Sequence, residues 1–241
     1  MKKVFVLALI LTLVAGGVQA QKRNNRKSGN SVPSSMVDCK DNKSVNNVQK
    51  ARDVRQLPPP ASGMDAPLKE ALDQRRTIRN IREEQLPMEL VSSLLWCTYG
   101  INRPEANRRV VPSAVNVQEF DIYYFDQQGI YLYNAQKNIL EMVVEGDHRP
   151  EISQQQFFAK APASIVIVAN YDRMSVFKDK DVRDFYAAVD CGYVSQNIYL
   201  FCSSAKLATV ACGGINHETL TKLLGIGNGR PMLAHPVGFE E

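Results

Sequence analysis

Three observations on the sequence predict an α+β sandwich. The runs Phe120–Phe125 and Ile130–Tyr133 are rich in aromatic and β-branched residues and flank Asp126-Gln127-Gln128-Gly129, the signature of a β-hairpin. The unbroken apolar run Ser164–Ala169 reads as a strand buried on both faces. From Asp181 to about Ala205 the chain carries Phe185, Val189, Gly192, Tyr193, Gln196 and Leu200, apolar on most faces, as in a helix lodged in a core or an extensive interface. With the elements between them, these give the order helices, hairpin, helix, strand, long helix, strand, helix, strand. No internal repeat is present.

Taken from the start, Met1–Ala20 has a basic head, an apolar core over Val4–Val14 and small residues at Val18-Gln19-Ala20, which predicts a cleaved signal peptide and an exported, periplasmic or secreted protein. Gln21–Met64 reads as a disordered polar tether, rich in Asn, Ser, Lys and Arg and interrupted by Pro58-Pro59-Pro60. The folded domain is expected over Asp65–Glu241. Asp65 and Pro67 predict a helix start, with Asp65 as the cap and the helix running to about Arg79. A second helix begins near Pro87 and ends at Tyr99-Gly100, where Gly100 suits a left-handed cap. Leu140–Val144 is a third strand, Ser153–Lys160 a helix, Ala208–Ala211 a strand and Cys212-Gly213-Gly214 a tight turn. A helix from His217, capped by Asn216, and a strand over Pro231–Gly238 close the chain.

Charge is unevenly distributed. Between Gln21 and Pro60 nine basic residues stand against three acidic ones, whereas from Ala61 onward eighteen stand against twenty-two. A nucleic-acid-binding domain would show the opposite distribution. The five cysteines are an odd number and do not form a disulfide framework. Cys191 and Cys202 lie about 16 Å apart by helical rise and cannot bridge each other. Cys39 falls in the tether, and the others are expected as buried, inert thiols.

Several chemistries find no support. His148, His217 and His235 are scattered, and no Cys or His pair has metal-ligand spacing. No Ser sits in a Gly-x-Ser-x-Gly elbow, and neither a P-loop nor a dinucleotide fingerprint is present. Cys212 has no His or Asp that spacing assigns to activate it. What remains suits an organic cofactor. Gln74-Arg75-Arg76-Thr77-Ile78-Arg79 places three guanidinium groups and a hydroxyl in six residues, a pattern that fits phosphate and equally fits a solvated basic helix end. In a helix, Arg75 and Arg79 would share a face. Pro112-Ser113-Ala114-Val115-Asn116 is a small-residue loop that could face an aromatic plate, and Gly213-Gly214 would admit a ligand close to the backbone.

In this order, these motifs resemble the FMN-dependent nitroreductase-like flavoproteins, over roughly Pro67–Gly238. Arg75-Arg76-Thr77-Ile78-Arg79 is similar to that family's opening signature, and Pro112-Ser113-Ala114-Val115-Asn116-Val117-Gln118 to its Pro-Ser loop. Ala161-Pro162, Asp190-Cys191-Gly192 with Gln196-Asn197, and His235-Pro236-Val237-Gly238 also match, and the short ending is most like the subgroup with the peptide-azoline dehydrogenases. The resemblance implies a central, mostly antiparallel sheet flanked by helices, with a long helix at a homodimer interface bearing two FMN sites. It implies that Arg75 and Thr77 hold the FMN phosphate, that Arg79 reaches the N1/O2 edge and that Arg76 is a lesser contact. Pro112, Ser113, Ala114 and Asn116 would pack along the flavin from the partner subunit. Gln155, or Gln154 or Gln156 beside it, would touch the flavin edge. Cys212, Gly213 and Gly214 complete the set, the glycines offering a backbone N–H to flavin N5.

The implied activity is an oxidoreductase passing hydride or electrons through N5 to or from a small organic substrate. NADH or NADPH is the family's usual donor, though both are scarce where an exported chain works. Many relatives carry a basic C-terminal arm, whereas this sequence closes on Phe239-Glu240-Glu241, so the phosphate is expected to rest on residues 75–79, helped by Arg108 or Arg109. A non-catalytic protein that stores, scavenges or senses FMN is the alternative reading.

Overall fold

The computed structural model describes residues 53–241; the expected signal peptide, most of the expected tether and Cys39 lie outside the described residues. A seven-stranded sheet forms the centre, ordered β1-β6-β5-β4-β7-β9-β8. Its strands are β1 (Val54–Gln56), β4 (Phe120–Phe125), β5 (Gly129–Asn134), β6 (Ile139–Glu145), β7 (Ala163–Asn170), β8 (Leu207–Thr209) and β9 (Gly229–Phe239). Every pairing is antiparallel. β7 is central because its side chains are apolar on both faces, as the run Ser164–Ala169 requires. Ile165 and Ile167 join one core with Leu94, Leu95, Val194 and Ile198. Val166 and Val168 join a second core with Ile152, Phe158, Leu220 and Leu224. The period of two thus divides the protein into layers.

The first core is roofed by α2 (Met88–Tyr99) and the 25-residue α4 (Lys180–Ser204), and the second by the short α3 (Phe157–Lys160) and α5 (His217–Leu223). Asp179 caps α4, its Oδ1 accepting from the N–H groups of Asp181 and Val182. A small hairpin, β2 (Ile101–Arg103) and β3 (Arg108–Arg109), turns through Asn107 in the left-handed region. It occupies the polar, arginine-bearing stretch that follows Gly100. Gly100 itself is extended, not left-handed; a side chain there would press to 2.4–2.6 Å against Trp96.

Several boundaries differ from expectation; α3 starts at Phe157 and not at Ser153, whose hydroxyl is bonded to Gly214 O. The first helix, α1, spans only Leu68–Gln74; Pro67 occupies its cap position, without a side-chain capping bond, in place of Asp65. The chain beyond it is extended because Ile78 N–H bonds to Thr209 O (3.0 Å) and Arg82 N–H to Phe239 O (2.9 Å), which draws residues 78–82 along the sheet edge. The tether also ends earlier than its composition suggests. Val54–Gln56 pairs with β6, Arg55 bonds to Asp126 at 2.5 Å, and Ser92 Oγ donates to Pro58 O. Asn216 makes no capping bond to α5; its Nδ2 donates to Glu151 O.

Candidate flavin site

The basic segment is strung on extended backbone, so Arg75 and Arg79 do not share a helix face. Its anchor is Tyr199 of α4. The Tyr199 hydroxyl accepts from Ala211 N–H (2.9 Å) and lies 3.0 Å from Thr77 Oγ1, while the Arg75 guanidinium sits over the ring, 5.4 Å from its centroid. Arg76 points elsewhere and is held by the Glu240 carboxylate, 2.9–3.0 Å from both oxygens. Neither Arg75 nor Arg79 has a carboxylate partner among the described residues. A cleft of about 540 Å³ beside Arg75 and Arg76 is lined also by Ser203, Lys206 and Glu240.

Ala211 leads directly into the glycine turn. Cys212 exchanges two backbone hydrogen bonds with Ala234 of β9, both 2.9 Å, which fixes the turn to the sheet. Ser153 Oγ donates to Gly214 O at 2.6 Å, and Gln155 Nε2 donates to Cys212 Sγ at 3.2 Å. Of the three neighbouring glutamines, Gln155 is therefore the one seated on the turn. A Cβ at Gly213 or Gly214 would meet nothing nearer than 3.7 Å, and neither N–H has an acceptor among the described residues. Guanidinium groups without carboxylates beside open backbone donors match what a planar, phosphate-bearing ligand requires. Cys212 is buried and faces Gln155 with no histidine beside it, which leaves it a turn residue.

The Pro112–Gln118 loop is built differently. Val115, Asn116 and Gln118 have φ of 43°, 59° and 50°, costly for a β-branched valine. Ser113 staples the loop, its carbonyl accepting from Asn116 N–H and its Oγ from Gln118 N–H, each at 3.0 Å. Ala114 N–H donates to Asp190 Oδ2 at 2.7 Å. Val115 is left 73% exposed at the tip. Within one protomer the loop does not join the Tyr199 group, since Asp190 and Tyr199 stand nine residues apart on α4, about 13 Å along its axis. Nor do Arg108 and Arg109 reach the basic segment through any contact. Arg109 stacks over Tyr99 at 4.6 Å and donates to Tyr99 O and Gln118 Oε1.

Directly after the loop, Glu119 is fully buried, and neither carboxyl oxygen receives a hydrogen bond. Burial, then the neighbouring Asp190, pushes its pKa up to about 8. Buried beside a second carboxyl group, Glu119 keeps its proton at neutral pH. Below Tyr199, His235 is buried between Ser195 Oγ (2.9 Å) and Thr209 Oγ1 (3.2 Å). Burial lowers its pKa to about 3, and it stays neutral. The supporting groups Tyr199 and Glu119 carry no motif of their own, because their partners are distant in sequence, and His235 had a signal only through the closing His-Pro-Val-Gly pattern. Asp190 had a signal only through the Asp-Cys-Gly pattern.

The comparisons agree with this architecture. The model described as Nitroreductase family matches residues 72–239. A protein of Methanocaldococcus jannaschii assigned as a nitroreductase is 29% identical over 182 residues, covering 71% of this chain and 90% of that one. A crystal structure from Ralstonia eutropha, assigned likewise, superposes with a TM-score of 0.74 at 30% identity, covering 80% of this chain and 92% of the other. The NADPH:FMN oxidoreductase of Vibrio harveyi, solved with NAD+, shares the fold at a TM-score of 0.54 and 19% identity, covering 72% of this chain and 69% of that one.

Proposed function

The chain belongs to the nitroreductase family of oxidoreductases, and from that premise we propose that it is an FMN-dependent enzyme, exported after removal of residues 1–20 and working as a homodimer. The observation that carries the cofactor assignment is the junction at Tyr199, where one side chain ties Thr77 and the Arg75 guanidinium to Ala211, the residue that leads into the Cys212-Gly213-Gly214 turn. Arg75 and Thr77 are assigned to the phosphate and Arg79 to the electron-rich edge of the ring, where its charge favours the reduced, anionic form. Arg76 is a lesser contact, in keeping with its commitment to Glu240. Gly213 and Gly214 offer the N–H donors, and Gln155 borders the ring. Bound FMN would supply two-electron transfer between a donor, such as NADH or NADPH, and a small organic acceptor.

The homodimer reading is supported by apolar side chains left bare on α4. Phe185 is 61% exposed, and Val182 and Tyr193 are exposed as well, an arrangement costly in water and relieved by a second copy. In such a dimer the Pro112, Ser113, Ala114 and Asn116 loop of one subunit would face the Arg75–Gly214 wall of the other. The test is the absorbance spectrum of the purified mature protein with added FMN, followed by stopped-flow mixing with NADH or NADPH and re-oxidation by a nitro-compound or quinone. A flavin band bleached by donor and restored by acceptor is expected. Bound flavin that no donor reduces would favour a storage or sensing protein; a colourless protein that takes up no FMN would reject the cofactor.

A further inference from the structure

We propose that Tyr199 is a positioning residue that aims Thr77 at the ligand and locks the basic segment to the glycine turn. The inference rests on the FMN reading above, but its own support is geometric. One phenolic oxygen meets two chain segments 134 positions apart, Thr77 and Ala211. A hydroxyl has one proton to give. Ala211 N–H can only donate, so the phenol accepts there and its own proton is free for Thr77 Oγ1. Thr77 then receives a hydrogen bond and its own single proton is directed away from Tyr199, on an exposed residue of a segment whose Arg75 and Arg79 have no carboxylate partner among the described residues. The result is a donor chain from Ala211 through Tyr199 to Thr77, ending on a hydroxyl proton suited to an anionic oxygen. Each bond in such a chain polarises the next.

The ring adds a second constraint. Its face carries the Arg75 guanidinium at 5.4 Å, and its edge meets His235 at a centroid distance of 5.4 Å and an interplanar angle of 81°. His235, neutral and held between Ser195 and Thr209, is a fixed floor beneath the ring. The orientation of the phenol is therefore set from below, and the segment above follows it.

The experiment compares FMN and riboflavin, which lacks the phosphate, by flavin fluorescence titration of wild type, Tyr199→Phe, Thr77→Val and the double variant, with the melting temperature of each. Tyr199→Phe keeps the ring and its stack with Arg75 and removes only the relay. It is expected to weaken FMN about three- to tenfold, the scale of one hydrogen bond, and riboflavin less. The double variant should be no weaker than Thr77→Val alone, because the two hydroxyls act in series. Wild type that binds FMN with Tyr199→Phe unchanged overturns the inference and leaves the functional reading standing. So do additive losses in the double variant, or equal losses for FMN and riboflavin. If Tyr199→Phe does not fold, Thr77→Val decides: discrimination between FMN and riboflavin that Thr77→Val leaves intact overturns the relay. A wild type that binds neither flavin overturns the functional reading and this inference together.

Discussion

The Arg75–Arg79 segment runs as extended backbone with no left-handed residue, whereas the Pro112–Gln118 loop turns through three, Val115, Asn116 and Gln118. The first is held by the main-chain bond from Ile78 to β8 and by the Tyr199 hydroxyl at Thr77. The second hangs on Asp190, a buried carboxylate pressed against buried Glu119. One wall is preorganised by the sheet, and the other by a carboxylate beside Glu119, whose own protonation changes near pH 8. Strain of the kind stored in the loop persists only where its surroundings over-determine it. The two walls should therefore fail under different conditions.

Removing the acceptor that holds the strained loop is the strongest way to separate them. Asp190→Ala strands the Ala114 N–H and should cost about 2–3 kcal/mol in urea unfolding. Proteolysis should then cut first within 112–118 while the 75–79 segment stays protected. Arg75→Ala should do the reverse, leaving the urea midpoint nearly unchanged while weakening FMN by about 1.5–3 kcal/mol, because one charged, hydrogen-bonded contact is lost. An unchanged FMN dissociation constant would reject the phosphate assignment.

The pH dependence sharpens the same contrast. Glu119 ionises near 4.5 in the unfolded chain and near 8 in the folded protein, so between these values the folded state holds the extra proton. Its contribution is fully present below pH 4.5 and is lost as pH rises through 8. Glu119→Gln should flatten this descent and, at pH 8, stabilise the fold by an amount on the order of 1 kcal/mol, measured by urea titration across pH. The smallest effect is expected at the loop tip. Val115→Asn keeps the left-handed turn at lower steric cost and should raise stability by about 0.5–1 kcal/mol; no change would mean that the valine is not strained there.

What could be read from the sequence divides along the same line. The β4–β5 hairpin, β7, α4 and β9 were legible because each announces its own period or apolar run. The end of α1 was not. Gln74, Arg75 and Arg76 are good helix formers, and the halt at Gln74 is imposed by Thr209, Tyr199 and Phe239, more than a hundred residues away. β1 was hidden for a similar reason: Val54-Arg55-Gln56 lies in a polar stretch and becomes a strand through its pairing with Ile139, Leu140 and Glu141. Among candidate site residues, the basic segment, the loop and the glycine turn stood out as motifs. The groups that hold them, Tyr199 and Glu119, did not, since such a side chain gains its meaning from neighbours that the linear order conceals.

The three residues of β1 also bear on solubility and on the timing of synthesis. They cover the outer flank of β6, a seven-residue strand that would otherwise offer a long row of unpaired backbone groups to another chain. With β1 in place, the Ile139–Glu141 stretch of that flank is paired, and the terminal strands β1 and β8 are three residues each. Yet β1 leaves the ribosome more than eighty residues before its partner, so during growth the margin stays unguarded until β6 has been made and the loop between them has closed. A protein trimmed back to Pro58 would keep its two hydrophobic layers except Leu57 and lose this guard, and its first symptom should be self-association, not unfolding.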